Sequence, residues 1–183
     1  MTSFNELDGR PATANSFLLK RVLREEWGFK GFVVTDYSAI LEMVQHGTAA
    51  NNYDAGRQAL AAGVDMDMQG GVYFDYLEKM LANGDITQAQ IDTAAKRVLT
   101  LKFMLGLMDD PYRYCDEERE KKLIYAPEHL EAAYNVATES MVLLKNEAQT
   151  LPLKPGSNIA VIGPLAEAKQ DLLGTWSGSG DAD

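Results

Sequence analysis

Short continuous apolar runs alternate with apolar residues spaced four apart over residues 1–110, recurring about every thirty residues, the length of a parallel βαβ crossover. The first run, Met1 to Phe4, reads as a short strand ending in the turn-rich Asn5-Glu6-Leu7-Asp8-Gly9, with Pro11 beyond it. From about Asn15, Leu18, Leu19, Val22, Leu23 and Trp27 share the buried face of a helix, and Lys20, Arg21, Arg24 and Glu25 fall mostly on the other face. Gly28 closes that helix. The β-branched and aromatic run Gly31 to Thr35 has the pattern of a parallel strand buried on both faces, and Asp36 stands at its C-terminal end. A second helix at about Tyr53 to Ala62 leads through Gly63 into a third strand, Val64 to Met68, which ends among Gly70 and Gly71.

Beyond residue 71 the pattern turns helical. Residues 72–83 read as a short helix, and a long one starts at Thr87, where Gln90 completes a capping-box pattern. Ile91, Ala94, Ala95, Val98, Leu101, Leu105 and Leu107 mark its core stripe, and Gly106 its end. Asp109-Asp110-Pro111 and the charged stretch Asp116 to Lys122 hold too few apolar residues to bury much surface and read as a linker. A helix at about Pro127 to Leu144 then precedes the turn-rich Pro152 to Ser157 and a buried strand, Ile159 to Ile162, closed by Gly163-Pro164. The expected organisation is therefore α/β, divided as 1–108, 109–127 and 128–183. Two strand-helix units and one strand do not close a barrel, and a single strand cannot make a second sheet. The pattern predicts a segment that begins and ends inside domains.

Composition narrows the partners. With 46% apolar residues the chain has ample material for a core. A formal charge of −10 and a pI near 4.7 without a Lys or Arg cluster argue against a nucleic-acid or anionic-membrane partner, since phosphate binding relies on positive charge to release counterions. A neutral or cationic small molecule fits better. Cys115, the single cysteine, has no partner for an internal disulfide and no Cys or His at metal-ligand spacing. No run reaches the length of a membrane span, and Met1 opens into Thr-Ser-Phe-Asn without a basic or apolar leader pattern.

Several segments resemble, in sequence, order and spacing, family 3 glycoside hydrolases of the periplasmic bacterial β-glucosidase type. They include Met1-Thr-Ser-Phe-Asn-Glu-Leu-Asp-Gly9, Trp27-Gly-Phe-Lys-Gly-Phe-Val-Val-Thr-Asp36, His46-Gly-Thr-Ala-Ala50 and Ala62-Gly-Val-Asp-Met-Asp-Met68. Lys102-Phe-Met-Leu-Gly-Leu107, Asp110-Pro-Tyr-Arg-Tyr114, Val142-Leu-Leu-Lys-Asn146, Ile159-Ala-Val-Ile-Gly-Pro164 and Gly174-Thr-Trp-Ser177 continue the series. The resemblance implies the C-terminal part of a (β/α)8 TIM-like barrel, its strands similar to the sixth, seventh and eighth, followed by a linker and the start of an αβα sandwich domain. It also implies a retaining exo-β-glucosidase acting on β-glucosides and cello-oligosaccharides, without metal or organic cofactor, periplasmic or secreted, with a homodimer of the longer parent left open. By the match of Thr35-Asp36 to the family's nucleophile motif, Asp36 inherits the role of nucleophile. The acid/base glutamate of two-domain members comes from the sandwich domain, beyond this chain. A catalytically silent fragment, a carbohydrate-binding remnant and a β-xylosidase stand as alternatives.

The chemistry agrees with that role. Retaining hydrolysis needs an ionised carboxylate to attack the anomeric carbon, and an aspartate ordinarily is anionic at neutral pH without an activating base. On residue pattern alone, Asp36 suits a helix N-cap after a strand equally well. Met1 and Phe4 match positions lining the family's glucose subsite, where a tyrosine often stands in place of Phe4; a barrel-interior methionine and aromatic is the competing reading. Tyr37 stands where many members carry tryptophan and is suited to stack on the aglycone sugar. Glu6 and Asp8 read as solvated loop residues. Asp65 and Asp67, alternate residues on one strand face, lack a third metal ligand and read as structural, bonding to loops. His46 reads as ordering the loop after Asp36, and His129 as a solvated residue at a helix start. Trp176 suits either a core or a partner contact.

Overall fold

The valine-rich residues 31–36 run extended between two neighbours in the computed structural model, which describes residues 1–175 and 177. Thr2 donates its N–H to the Val34 carbonyl (3.0 Å), and Thr35 donates to Met66 (3.0 Å), so the central segment has residues 1–4 on one side and 64–68 on the other. The three expected strands are not built as regular ladders. A single parallel bridge joins Val34 to Met66. Each outer segment has a partner on one side only among the described residues, so pairing is not propagated across a sheet. Regular strand pairing among the described residues is an antiparallel hairpin, β1 (Glu6–Leu7) and β2 (Arg10–Pro11), within the stretch expected to be turn. Its two linking residues, Asp8 and Gly9, both take positive φ (53° and 71°), as the tightest hairpin turn requires.

The first helix, Phe17–Glu26, is wound as a π-helix, with Trp27 N–H reaching back five residues to Val22. Two expectations fail here. Trp27, at the C-cap just past the helix, is 74% exposed. Arg24, assigned to the polar face, points inward at Asp65.

Helix α1 (Ala39–Gln45), absent from the expected pattern, places Ile40 and Met43 wholly inside the core. It is too short for helical spacing to declare itself. Helices α2 (Asn52–Ala62) and α3 (Val72–Ala82) follow the pattern closely. They pack at very close range because α2 presents Ala55, Gly56 and Ala59: a Cβ on Gly56 would lie 2.7 Å from Val72 Cγ1 and 2.9 Å from Met80 Cε. Asp67 sets the entry to α3, accepting the Val72 N–H at 2.7 Å. Burial raises its carboxyl above the ordinary value of 3.8, an effect partly offset by the Val72 and Tyr73 N–H groups.

Helix α4 (Gln88–Met104) opens with the full Thr87–Gln90 capping box. Its stripe is covered only in the first half. Ala94 is buried and Ile91 and Val98 partly so, whereas Ala95, Leu101 and Leu105 are exposed, together with Leu99, Phe103 and Met104. Nothing among the described residues covers that second half.

One carboxylate ties four of these pieces together. Asp65 accepts from Arg24 Nη2 (2.7 Å), Arg97 Nη1 (2.8 Å) and the Val33 N–H (2.8 Å), so the π-wound helix, α4 and the central segment all converge on the third segment.

The described chain divides into two compact units, the first running Met1–Lys121 and the second beginning at Lys122. The stretch read as linker contains helix α5 (Glu117–Leu123), which buries no residue and is held by acidic side chains in its first turn. Helix α6 (Pro127–Glu139) ends before the expected Leu144. Thr138 and Ser140 hydroxyls take the carbonyls of Tyr134, Asn135 and Ala137, satisfying the last turn locally. The expected strand Ile159–Ile162 is unpaired and exposed, since no neighbouring strand exists among the described residues to receive it. Trp176 lies outside the described residues.

Replacing Asp65 with alanine strands Arg24 and the Val33 N–H in the interior, and should lower stability by about 3–5 kcal/mol in urea unfolding. Arg97→Ala removes a partner whose side chain is 28% exposed and should cost distinctly less. Asp67 binds its proton more tightly folded than unfolded, so its contribution to stability declines as pH rises from the ordinary value through the raised one. Asp67→Asn keeps an acceptor for Val72 and should therefore flatten the fall of Tm over that acidic window; an unchanged profile would exclude Asp67 as its source.

Candidate active site

A parallel arrangement presents the C-terminal ends of its extended segments along one edge. Asp36 and Met68 occupy those ends, each two residues beyond the parallel bridge of Val34 and Met66, and Phe4 lies two residues beyond Thr2, whose N–H donates to Val34. Asp36 is half-buried and makes a tight local turn: its Oδ1 accepts the Tyr37 N–H at 2.7 Å, and its carbonyl accepts from Ala39 at 3.2 Å. The N-cap position of α1 falls not on Asp36 but on Ser38. A carboxylate so placed can serve as a nucleophile or stabilise a developing cation.

Of the other candidates, Phe4 is 39%, Tyr37 46% and Met1 74% exposed.

Behind the turn lie contacts for which the apolar pattern carries no signal. Thr35 Oγ1, fully buried, accepts the Met68 N–H at 2.8 Å, and Ser38 N–H donates to the Met68 carbonyl at 3.0 Å. Ser38 Oγ donates to Gln69 Oε1 at 2.6 Å. A serine two residues after the segment end is a recognisable cap signal; Gln69 beside two glycines reads only as turn.

The hairpin is fastened from the other side. Glu6 Oε1 lies 2.9 Å from His46 Nδ1, so Glu6 anchors its loop to the end of α1 rather than standing free in solvent. Asp8 is exposed in the hairpin turn. His129 is exposed in the first turn of α6, with Nδ1 2.9 Å from the Leu123 carbonyl. Asp65 and Asp67 are committed to the contacts described above, and no group of three or more His, Cys, Asp or Glu is placed to hold a metal among the described residues. Cys115 is exposed.

Residues 1–101 match the model of the glycosyl hydrolase family 3 N-terminal domain, and residues 141–183 that of the family 3 C-terminal domain. The periplasmic β-glucosidase of Salmonella typhimurium is 47% identical across 100% of this chain, which spans 24% of that protein. A putative β-xylosidase of Formosa agariphila is 37% identical over 91% of the chain and 22% of its own length. The crystal structure of a β-glucosidase from Listeria innocua in complex with glucose superimposes with a TM-score of 0.80 at 39% identity, over 98% of this chain and 24% of that one. The chain thus spans about a quarter of the length of the relatives it matches. With more than half of its residues falling under one domain model and the order of both domain models preserved, the chain belongs to glycosyl hydrolase family 3.

Proposed function

We propose that this chain carries the nucleophile of a retaining exo-β-glucosidase, within a protein of the relatives' length. Asp36 attacks the anomeric carbon of a terminal β-D-glucosyl residue and forms the glycosyl-enzyme intermediate, which water then hydrolyses. The observation that carries this reading is the place of Asp36 at the end of the central extended segment, in the residues that match the family motif. Barrel enzymes display their chemistry at strand C-termini. Residues 1–108 are assigned to the last three strand units of a (β/α)8-like barrel, 109–127 to a linker, and 128–183 to the start of an αβα sandwich. The bare second half of α4 and the one-sided pairing of the outer segments support the barrel assignment, because both are surfaces that further barrel elements would cover. Tyr37 is assigned to stack on the aglycone sugar, and Met1 and Phe4 to line the glucose subsite. The proton donor for the leaving oxygen is assigned outside these residues, as in two-domain family members.

A second reading, β-xylosidase, is favoured by the Formosa agariphila relative. It differs in the substrate's exocyclic CH2OH, so the ratio of kcat/KM for aryl β-glucoside over aryl β-xyloside decides between them.

Incubating the full-length enzyme with a 2-deoxy-2-fluoro-β-glucoside should place one label on the peptide containing Asp36, read by mass spectrometry of a digest. A label on any other carboxylate sinks the assignment. Asp36→Ala should lower kcat by at least about a thousandfold, the scale on which loss of a covalent participant acts. The 183-residue chain by itself should turn over an aryl glucoside many powers of ten more slowly than the full-length enzyme, since it lacks the assigned proton donor; comparable turnover would refute the division of labour.

A further inference from the structure

Two residues beside Asp36 adopt a backbone conformation that their side chains disfavour. Ser38 (φ 59°) and Gln69 (φ 68°) both sit in the left-handed region, where a Cβ crowds the adjoining carbonyl and glycine is the usual occupant. Their loops follow the second and third extended segments, and the two side chains meet: Ser38 Oγ donates to Gln69 Oε1 at 2.6 Å. Ser38 stands at the N-cap of α1, where a serine ordinarily accepts a backbone N–H from the first turn, yet its side chain caps nothing. Its hydroxyl is committed across the loops instead.

Gln69 is itself held from below. Gly70 N–H returns to the Met68 carbonyl at 2.9 Å, and a Cβ on Gly70 would lie 2.9 Å from Asp67 Oδ1, whose partner oxygen takes the Val72 N–H. The loop therefore has little freedom between Met68 and Val72. On the facing side, Met68 is gripped at both backbone groups, its N–H by Thr35 Oγ1 and its carbonyl by the Ser38 N–H. Three hydrogen bonds thus run from the Met68-Gln69 dipeptide to Thr35 and Ser38. Those two residues bracket Asp36 and Tyr37.

We infer that Gln69, acting through Ser38, is a positioning residue that fixes the turn carrying the Asp36 carboxylate, with Thr35 fixing its other end. The inference rests on the reading of Asp36 as nucleophile. Strained backbone persists where surrounding structure over-determines it, and here the strain falls on both partners of one hydrogen bond flanking one carboxylate. The bracket holds the carboxylate oxygen in line with the anomeric carbon. Releasing it leaves the carboxylate present but misaligned, which slows attack and leaves sugar binding little altered.

The test is the rate at which the full-length enzyme is trapped by a 2,4-dinitrophenyl 2-deoxy-2-fluoro-β-glucoside, with dinitrophenolate release counting the competent sites. Gln69→Met removes the acceptor at nearly constant volume; Gln69→Gly removes it and relieves the left-handed strain; Ser38→Ala removes the donor. Each should trap about 10- to 100-fold more slowly per titrated site, with KM for an aryl glucoside changed less than about threefold. The double variant Gln69→Met with Ser38→Ala should be no slower than either single one, because both break the same bond. Gln69→Gly separates positioning from mere stability: its Tm should match or exceed that of the unaltered protein while its trapping rate falls. Should Gln69→Met fold poorly, Gln69→Gly and Ser38→Ala decide the matter. Trapping by those two within about twofold of the unaltered enzyme, with the label still on the Asp36 peptide, overturns the bracket and leaves the nucleophile standing. A label elsewhere removes the nucleophile reading, and the bracket's purpose with it.

Discussion

A single buried carboxylate organises the first unit. Asp65 receives two guanidinium groups and a backbone N–H, from a helix preceding the central segment, from a helix much later in the chain, and from the central segment itself. Burying an aspartate costs heavily unless its oxygens are fully bonded, and here the bonding is drawn from elements distant in sequence. The arrangement is therefore all or none. Placing Val33 places Asp36 three residues on, so the foundation of the candidate site is electrostatic, while the apolar core of Ile40, Met43, Ala59 and Val64 fills the space around it.

The site above that foundation is defined by what holds the turn. Its aromatic residues stand partly exposed, its carboxylate is half-buried, and uncovered apolar residues lie elsewhere, along the second half of α4. The relatives are about four times as long, and in them a comparable segment lies within a larger chain.

Elements whose evidence is local were legible from residue types. The Thr87–Gln90 box, the Gly63 boundary of α2 and the glycine pair before α3 work through neighbours in sequence, and those helices lie close to where the pattern puts them. Elements decided by partners were not. Residues 31–35 have the composition of a central strand but form one bridge, and 159–162 form none, because a strand exists only where another chain segment meets it. Arg24 looked like a surface residue because spacing reports a helix face under α winding, and its helix is not wound that way. Asp36 was visible because it ends a run; Gln69 was hidden because its significance is a contact with a residue thirty-one positions away.

The π winding of Phe17–Glu26 bears on how this architecture tolerates change in length. A wider turn changes which side chains share a face of the helix, so the positions of its residues depend on its winding. Drawing the same ten residues into ordinary α turns would swing the Arg24 guanidinium out of line with Asp65. Helix pitch and charge pairing are thus coupled here: the guanidinium's address is written in the width of the coil, and an insertion or deletion in this helix acts on the extended segments beneath it.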